Sequence, residues 1–302
     1  MSKNIQNLFK FAFAFIVIVI GNYVIVAQSV VTGDWKAEYK VEKAEKIQLN
    51  FSRKSENGRN QMGQSYELND LQGLSLSQIN SSNESVRFNL VREAGNIECE
   101  GKFTNGRGTG TFRFTPNPQF IKEMKLRGFD FEKPRKSDDK DIENRLFAAA
   151  TLNVTTALAD DLLSSDFGKL DVDDLFKAAI FKIDGKFARE MKESGFQNLT
   201  FDDLVKARIF KIDAEFVRHV AQMGFQNEPF EMLVKMRIFK ITPEFITEIR
   251  NEGFNDLDIE DLVKMRIFNI NAEFIREARA DGVPMNVEKL VQKKIGVYRK
   301  DK

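Results

Sequence analysis

From residue 33 to residue 115 apolar and polar residues alternate with a period of two, the pattern of strands that bury one face. Trp35, Ala37, Tyr39 and Val41 share one face, and Ile47, Leu49 and Phe51 share the next. Val86, Phe88 and Leu90 repeat the pattern, as do Ile97, Cys99 and Phe103, then Phe112 and Phe114. Asn105-Gly106 separates the last two runs and predicts a hairpin, because both residues tolerate positive φ. Polar Ser52–Gln61 and Ser77–Ser85 read as loops, and Leu71–Leu76 as a short turn or helix. About six antiparallel strands follow, expected as a small sandwich or open barrel over residues 29–116.

After Asn117 the period changes. Phe187, Phe216, Phe245 and Phe274 stand 29 residues apart, and so do Gly195, Gly224, Gly253 and Gly282. Leu175, Leu204, Leu233 and Leu262 keep the same ruler, with Leu290 one residue early. Leu158 and Asp166 continue it backwards, and Phe120 and Gly128 open a first unit lengthened by an insertion at about 130–141. Six units over 117–302 are the expected reading, each a helical hairpin unable to bury its apolar face alone. The fold class expected is thus α+β: a small antiparallel β domain followed by an α-solenoid of six helical-hairpin repeats.

Each unit parses into two helices. The first has its N-cap at Asp184, Asp213, Thr242 or Asn271, with Pro243 in the favoured first position, and ends at the glycine. The second starts at Asp171, Thr200, Asn227, Asp258 or Asn286, with carboxylates such as Asp202-Asp203 suiting the positive helix end. Its body (LVKARIFKI, LVKMRIFKI, LVKMRIFNI) is apolar around most of its circumference and is expected to be buried between neighbours.

The first 28 residues read as a targeting segment. Lys3 and Lys10 precede the apolar run Phe11–Ile20, and Ala27-Gln28 offers a cleavage site, which makes the protein exported, to the periplasm or cell envelope. An uncleaved membrane anchor is the alternative, since Phe11 to Ala27 is near the lower limit for a span. The charge balance is +1, which leaves no single-sign field to recruit nucleic acid. Cys99 and His219 are the only cysteine and histidine, so intramolecular disulfides and the usual Cys- and His-based zinc spacings are excluded. No cofactor is expected.

The segments DLQGL (Asp70–Leu74), VRFNLVREAG (Val86–Gly95) and GKFTNGRGTGTFRFTPNPQFIKEM (Gly101–Met124), followed by GF…DLVKMRIF…PEFI units, resemble a bacterial envelope family. Similar regions stand alone or are attached to membrane metallopeptidases of the β-lactam-sensor type. The resemblance implies an extracytoplasmic accessory or sensory role, with a membrane signalling protein among the partners. The peptidase motif His-Glu-Xaa-Xaa-His is absent, so no catalytic residue carries over.

The repeats offer an internal comparison for each chemical candidate. His219 occupies a position that holds Glu123, Asp161, Glu190, Glu248 and Glu277 in the other units, which reads as a solvated surface site rather than a catalytic one. The glycine-rich Gly106–Gly110 lacks the Lys-Ser/Thr of a phosphate loop and reads as a hairpin. Cys99 alternates in register with the core and reads as a packed thiol. Lys206, Lys235 and Lys264, with Lys211 and Lys240, form a candidate basic binding surface, weighed against a charge-balanced solvated face. Arg208, Arg237 and Arg266 fall on an apolar side of the second helix, and Glu215, Glu244 and Glu273 follow seven residues later, so three structural ion pairs are expected.

Two functions remain from this reading. One is a non-catalytic interaction module that binds a protein or peptide through the repeats. The other is a cell-wall glycan hydrolase or glycan-binding protein whose site in the β domain uses Glu93, Asp70 or Glu100.

Overall fold

The computed structural model describes residues 30–39, 46–55, 58–133 and 142–299. The expected targeting segment, Val41 and most of the insertion after residue 133 lie outside them. The chain is α+β, an antiparallel sheet followed by helices.

Seven strands form one curled sheet in the order β3-β2-β1-β7-β6-β5-β4. They are β1 (Val31–Tyr39), β2 (Lys46–Ser55), β3 (Gly58–Glu67), β4 (Leu71–Gln72), β5 (Glu84–Arg92), β6 (Gly95–Thr104) and β7 (Arg107–Pro116). The pairing is that of a single sheet and not of two stacked ones. Alternation determines which face is buried: Trp35, Leu49, Phe51, Phe88, Leu90, Ile97, Cys99, Phe112 and Phe114 all lie in the core. Asn105 and Gly106 turn the β6–β7 hairpin with φ of 49° and 82°, as a two-residue primed turn requires.

The glycines beside this hairpin serve one ring. Trp35 lies opposite Gly110, which in turn pairs with Gly101. A Cβ on Gly101, Gly108 or Gly110 would come within 2.6–2.7 Å of the indole. The ring meets Phe88 edge-on at 5.3 Å and Phe103 at 5.6 Å, and its Nε1 donates to the Glu100 carbonyl at 3.2 Å. Three side-chain-free positions thus create the slot for the only tryptophan.

Two expected loops contain regular structure. Ser52–Ser55 belongs to β2 and Gly58–Gln61 to β3, which pair from Lys46↔Glu67 to Ser55↔Gly58. Strand β3 lies on the sheet edge and offers few apolar residues, so its pairing rests on the backbone and leaves no period-two signal. Within Leu71–Leu76 the chain forms strand β4, and helix α1 (Leu76–Ile79) then starts under a Ser75/Gln78 capping box. The expected loop Ser77–Ser85 therefore begins inside a helix and ends inside β5.

Helix α2 (Pro118–Leu126) leaves the sheet under an Asn117 cap, and α3 (Ile142–Leu152) returns to cover the sheet. Phe147 of α3 stacks on Phe112 at 5.0 Å and meets Phe51 and Phe114 edge-on. The Tyr66 hydroxyl donates to the Thr151 carbonyl at 3.1 Å. The core therefore runs from the sheet into the helices as one cluster.

Beyond α3, two kinds of helix alternate. One kind comprises α4 (Thr156–Leu163), α6 (Gly185–Glu193), α8 (Ala214–Gln222), α10 (Pro243–Asn251) and α12 (Ala272–Ala280). The other comprises α5 (Val172–Phe181), α7 (Phe201–Phe210), α9 (Phe230–Ile238), α11 (Ile259–Ile267) and α13 (Val287–Lys294). Helices α3, α5, α7, α9, α11 and α13 each touch the next in that series. Asp184, Asp213, Thr242 and Asn271 cap their helices through the N–H of Phe187, Phe216, Phe245 and Phe274. Gly195, Gly224, Gly253 and Gly282 take positive φ just past the helix ends. The Phe225 N–H then reaches the Val220 carbonyl and the Gly224 N–H that of Ala221, a paired C-terminal closure. One cap differs from expectation: α9 starts after Pro229, not Asn227, which sits in the loop with φ of 61°. Pro229 keeps the 29-residue phase with Thr200 and Asp258, so period outweighs side-chain cap chemistry there. No single helix among the described residues is long and apolar enough to cross a membrane.

Candidate interaction face

The three arginines on α7, α9 and α11 find other partners than the expected glutamates. The guanidinium groups of Arg208, Arg237 and Arg266 each lie 3.7 Å over a ring on the first helix of their own unit, Phe187, Phe216 and Phe245 respectively. Their Nη2 groups donate to the carbonyls of Lys182 (2.7 Å), Lys211 (2.6 Å) and Lys240 (3.0 Å). Those lysines end their helices with φ of 54°, 55° and 53°, the left-handed conformation that follows a last helical turn. Glu215, Glu244 and Glu273 lie instead in the first turn of the next helix and are exposed. Glu244 accepts from its own N–H and from Thr242, which hold its carboxyl below the usual range. Burial pushes the Arg237 guanidinium down. In one unit arginine and ring are lost together, Leu158 replacing the phenylalanine and Ala179 the arginine, whereas the first unit keeps Phe120 with Ala150. In the last unit Lys294 covers Phe274 at 4.2 Å.

The expected basic surface divides in two. Lys206 lies 3.1 Å from Asp203 on its own helix and 2.7 Å from Glu231 on the next. Lys177 repeats this with Asp174 and Asp202, Lys235 pairs with Glu260, and Lys264 pairs with Asp261. The result is a ladder of alternating charge across successive helices, largely neutralised. Burial opposes the charge of Asp203, but the Thr200 hydroxyl and N–H and the Lys206 ammonium outweigh it and hold the carboxyl below its ordinary range. Lys211 and Lys240 sit at the helix ends with exposed side chains, their carbonyls taken by the arginines.

A row of isoleucines on the same helices escaped the sequence reading. Ile180, Ile209, Ile238 and Ile267 are 54%, 51%, 48% and 52% exposed. Each is followed by a half-buried phenylalanine: Phe181, Phe210, Phe239 and Phe268. The recurring Ile-Phe dipeptide is the signal that carries this row. The helix is apolar almost all round, and the side bearing the isoleucine is the one left half-exposed by its neighbours.

His219 is exposed, and its unit explains its exception. At the matching position Asp161 accepts from the Gly185 N–H at 2.5 Å and Glu248 from the Ala272 N–H at 3.2 Å, each the first residue of the next unit's helix. The residue in that place opposite His219 is Pro243, which has no N–H to satisfy. Both line one shallow recess.

The acids considered in the sheet domain have structural partners. The Glu93 carboxylate accepts from the Thr156 N–H at 2.7 Å, Asp70 pairs with Arg92 at 2.8 Å, and Glu100 pairs with Arg87 at 2.7 Å. Cys99 is buried, and desolvation pushes its thiol well up. Among the described residues no three His, Cys, Asp or Glu side chains gather to hold a metal ion. No family model matches the chain, and it matches no curated protein and no solved structure.

Proposed function

We propose that the protein is an exported, non-catalytic interaction or sensory accessory module. In this reading its helical tail is a solenoid of six helical-hairpin repeats that binds a protein or peptide partner. The observation that carries the reading is the row Ile180, Ile209, Ile238 and Ile267, roughly half exposed at one position in four successive units. Neighbouring packed helices lie about 8–10 Å apart, so four such residues mark a ribbon roughly 30 Å long. A single exposed isoleucine would need no explanation, but a regular apolar row flanked by half-buried phenylalanines suits a partner. The charge ladder beside it would add a polar rim. The sequential contacts of the second helices and the recurrence of caps at 29 residues support the repeat architecture.

The test is affinity capture from the extracytoplasmic fraction of the native host, with the wild-type protein and with the Ile209→Lys, Ile238→Lys variant. A stoichiometric partner retained by the wild type and lost by the folded variant supports the reading. Identical capture by both contradicts it.

A further inference from the structure

A cavity of about 410 Å³ opens where the sheet meets the helices, between the β2–β3 hairpin, α3 and α5. Its walls are mostly apolar, with Phe51 and Met62 from the sheet, Phe147 and Leu152 from α3, and Phe176 and Ile180 from α5. The remaining polar lining includes Arg53 and Arg145, and no carboxylate contributes among the described residues.

Arg145 is the unusual member. It is only 3% exposed, and its one hydrogen bond among the described residues goes to the Lys133 carbonyl. Its Nε is buried and has no partner. A buried guanidinium is costly unless an anion meets it, and an unsatisfied N–H adds to that cost. Phe147, two residues on, is held by its stack on Phe112, so the helix that presents Arg145 is anchored on the sheet. Arg53 bonds to Asn144 on the same helix.

We propose that this cavity binds a small amphiphilic anion, with one carboxylate or phosphate head at Arg145 and a compact hydrocarbon body against the phenylalanines. The volume falls within the range of about 300–1,000 Å³ in which small-molecule sites occur. The proposal stands apart from the interaction reading, because it concerns the sheet–helix junction and not the exposed isoleucine row as a whole.

Calorimetric titration of the full chain tests it with four probes that share a ten-carbon chain: decanoate, decyl phosphate, decanol and decyltrimethylammonium. The expected result is one site for an anionic probe, at least about tenfold tighter than decanol, with no binding of the cation. The tighter of the two anions identifies the head. Ile180→Trp, at the half-exposed rim, should weaken the anion at least about tenfold by filling the mouth without disturbing the core. Arg145→Met should bind decanoate and decanol alike; if that variant fails to fold by circular dichroism, Ile180→Trp decides. Equal affinity of wild type for decanol and both anions overturns the proposal, as does unchanged anion binding by Ile180→Trp.

Discussion

The guanidinium of Arg237 lies over the Phe216 ring at 3.7 Å while its Nη2 donates to the Lys211 carbonyl at 2.6 Å, so one side chain ties α9 to α8 and to the end of α7. Arg237→Ala should destabilise the protein by about 1–3 kcal/mol through lost stacking and a lost charged hydrogen bond. In urea denaturation Arg237→Ala and Phe216→Leu should couple by roughly 0.5–2 kcal/mol. Glu244→Ala should combine additively with Arg237→Ala. Coupling to Glu244 and not to Phe216 would restore the ionic pairing.

Gly110 allows Trp35 to lie against the sheet. A Cβ there would stand 2.0 Å from the Glu100 carbonyl oxygen and 2.7 Å from the indole Nε1. Gly110→Ala should cost about 1–3 kcal/mol by overpacking, more if the strand pair must separate, and should change the Trp35 fluorescence of the folded state. Wild-type stability and an unchanged emission spectrum would refute the packing account.

Period and cap chemistry made most of the fold legible, and the failures have physical causes. The buried strands and the first-helix caps, such as Asp213 beneath Phe216, are local patterns visible in a few residues. Strand β3 was hidden because an edge strand can be held by backbone bonds without an apolar face. The arginine contacts differ from the expected ones because a glutamate seven residues on is near in sequence, whereas Phe216 precedes Arg237 by 21 residues and meets it only where helices α8 and α9 pack together. The isoleucine row was hidden by its own composition. In a helix apolar on nearly every side, only packing decides which side stays exposed.

The folded-state pKa of Asp203 lies below the unfolded value, so its contribution is full above the unfolded value near about 3.9 and is lost as pH falls through the folded one. Thermal melts between pH 6 and pH 2 should therefore show a steeper acid decline for wild type than for Asp203→Asn. The variant should be the less stable of the two at neutral pH. Parallel curves would mean that Asp203 carries no differential protonation.

Removing one whole period should preserve the architecture. Deletion of Ala214–Thr242 joins Asp213 to Pro243, retaining an N-cap and a favoured first residue, and brings Lys211 where Lys240 received Arg266. The shortened chain should melt cooperatively with helix content reduced in proportion. Deleting half that length should unfold the adjoining units. If both deletions behave alike by circular dichroism, the units are not interchangeable.

Contact at the isoleucine row is the central claim, and site-specific photo-crosslinking in the native host tests it most directly. A photoreactive residue in place of Ile209 should give one discrete adduct with a partner protein, and that adduct should vanish when Ile180 and Ile238 are changed to Lys. A photoreactive residue in place of exposed Arg218, on the other kind of helix, should give none. No adduct from position 209, or the same adduct from both positions, would contradict the claim.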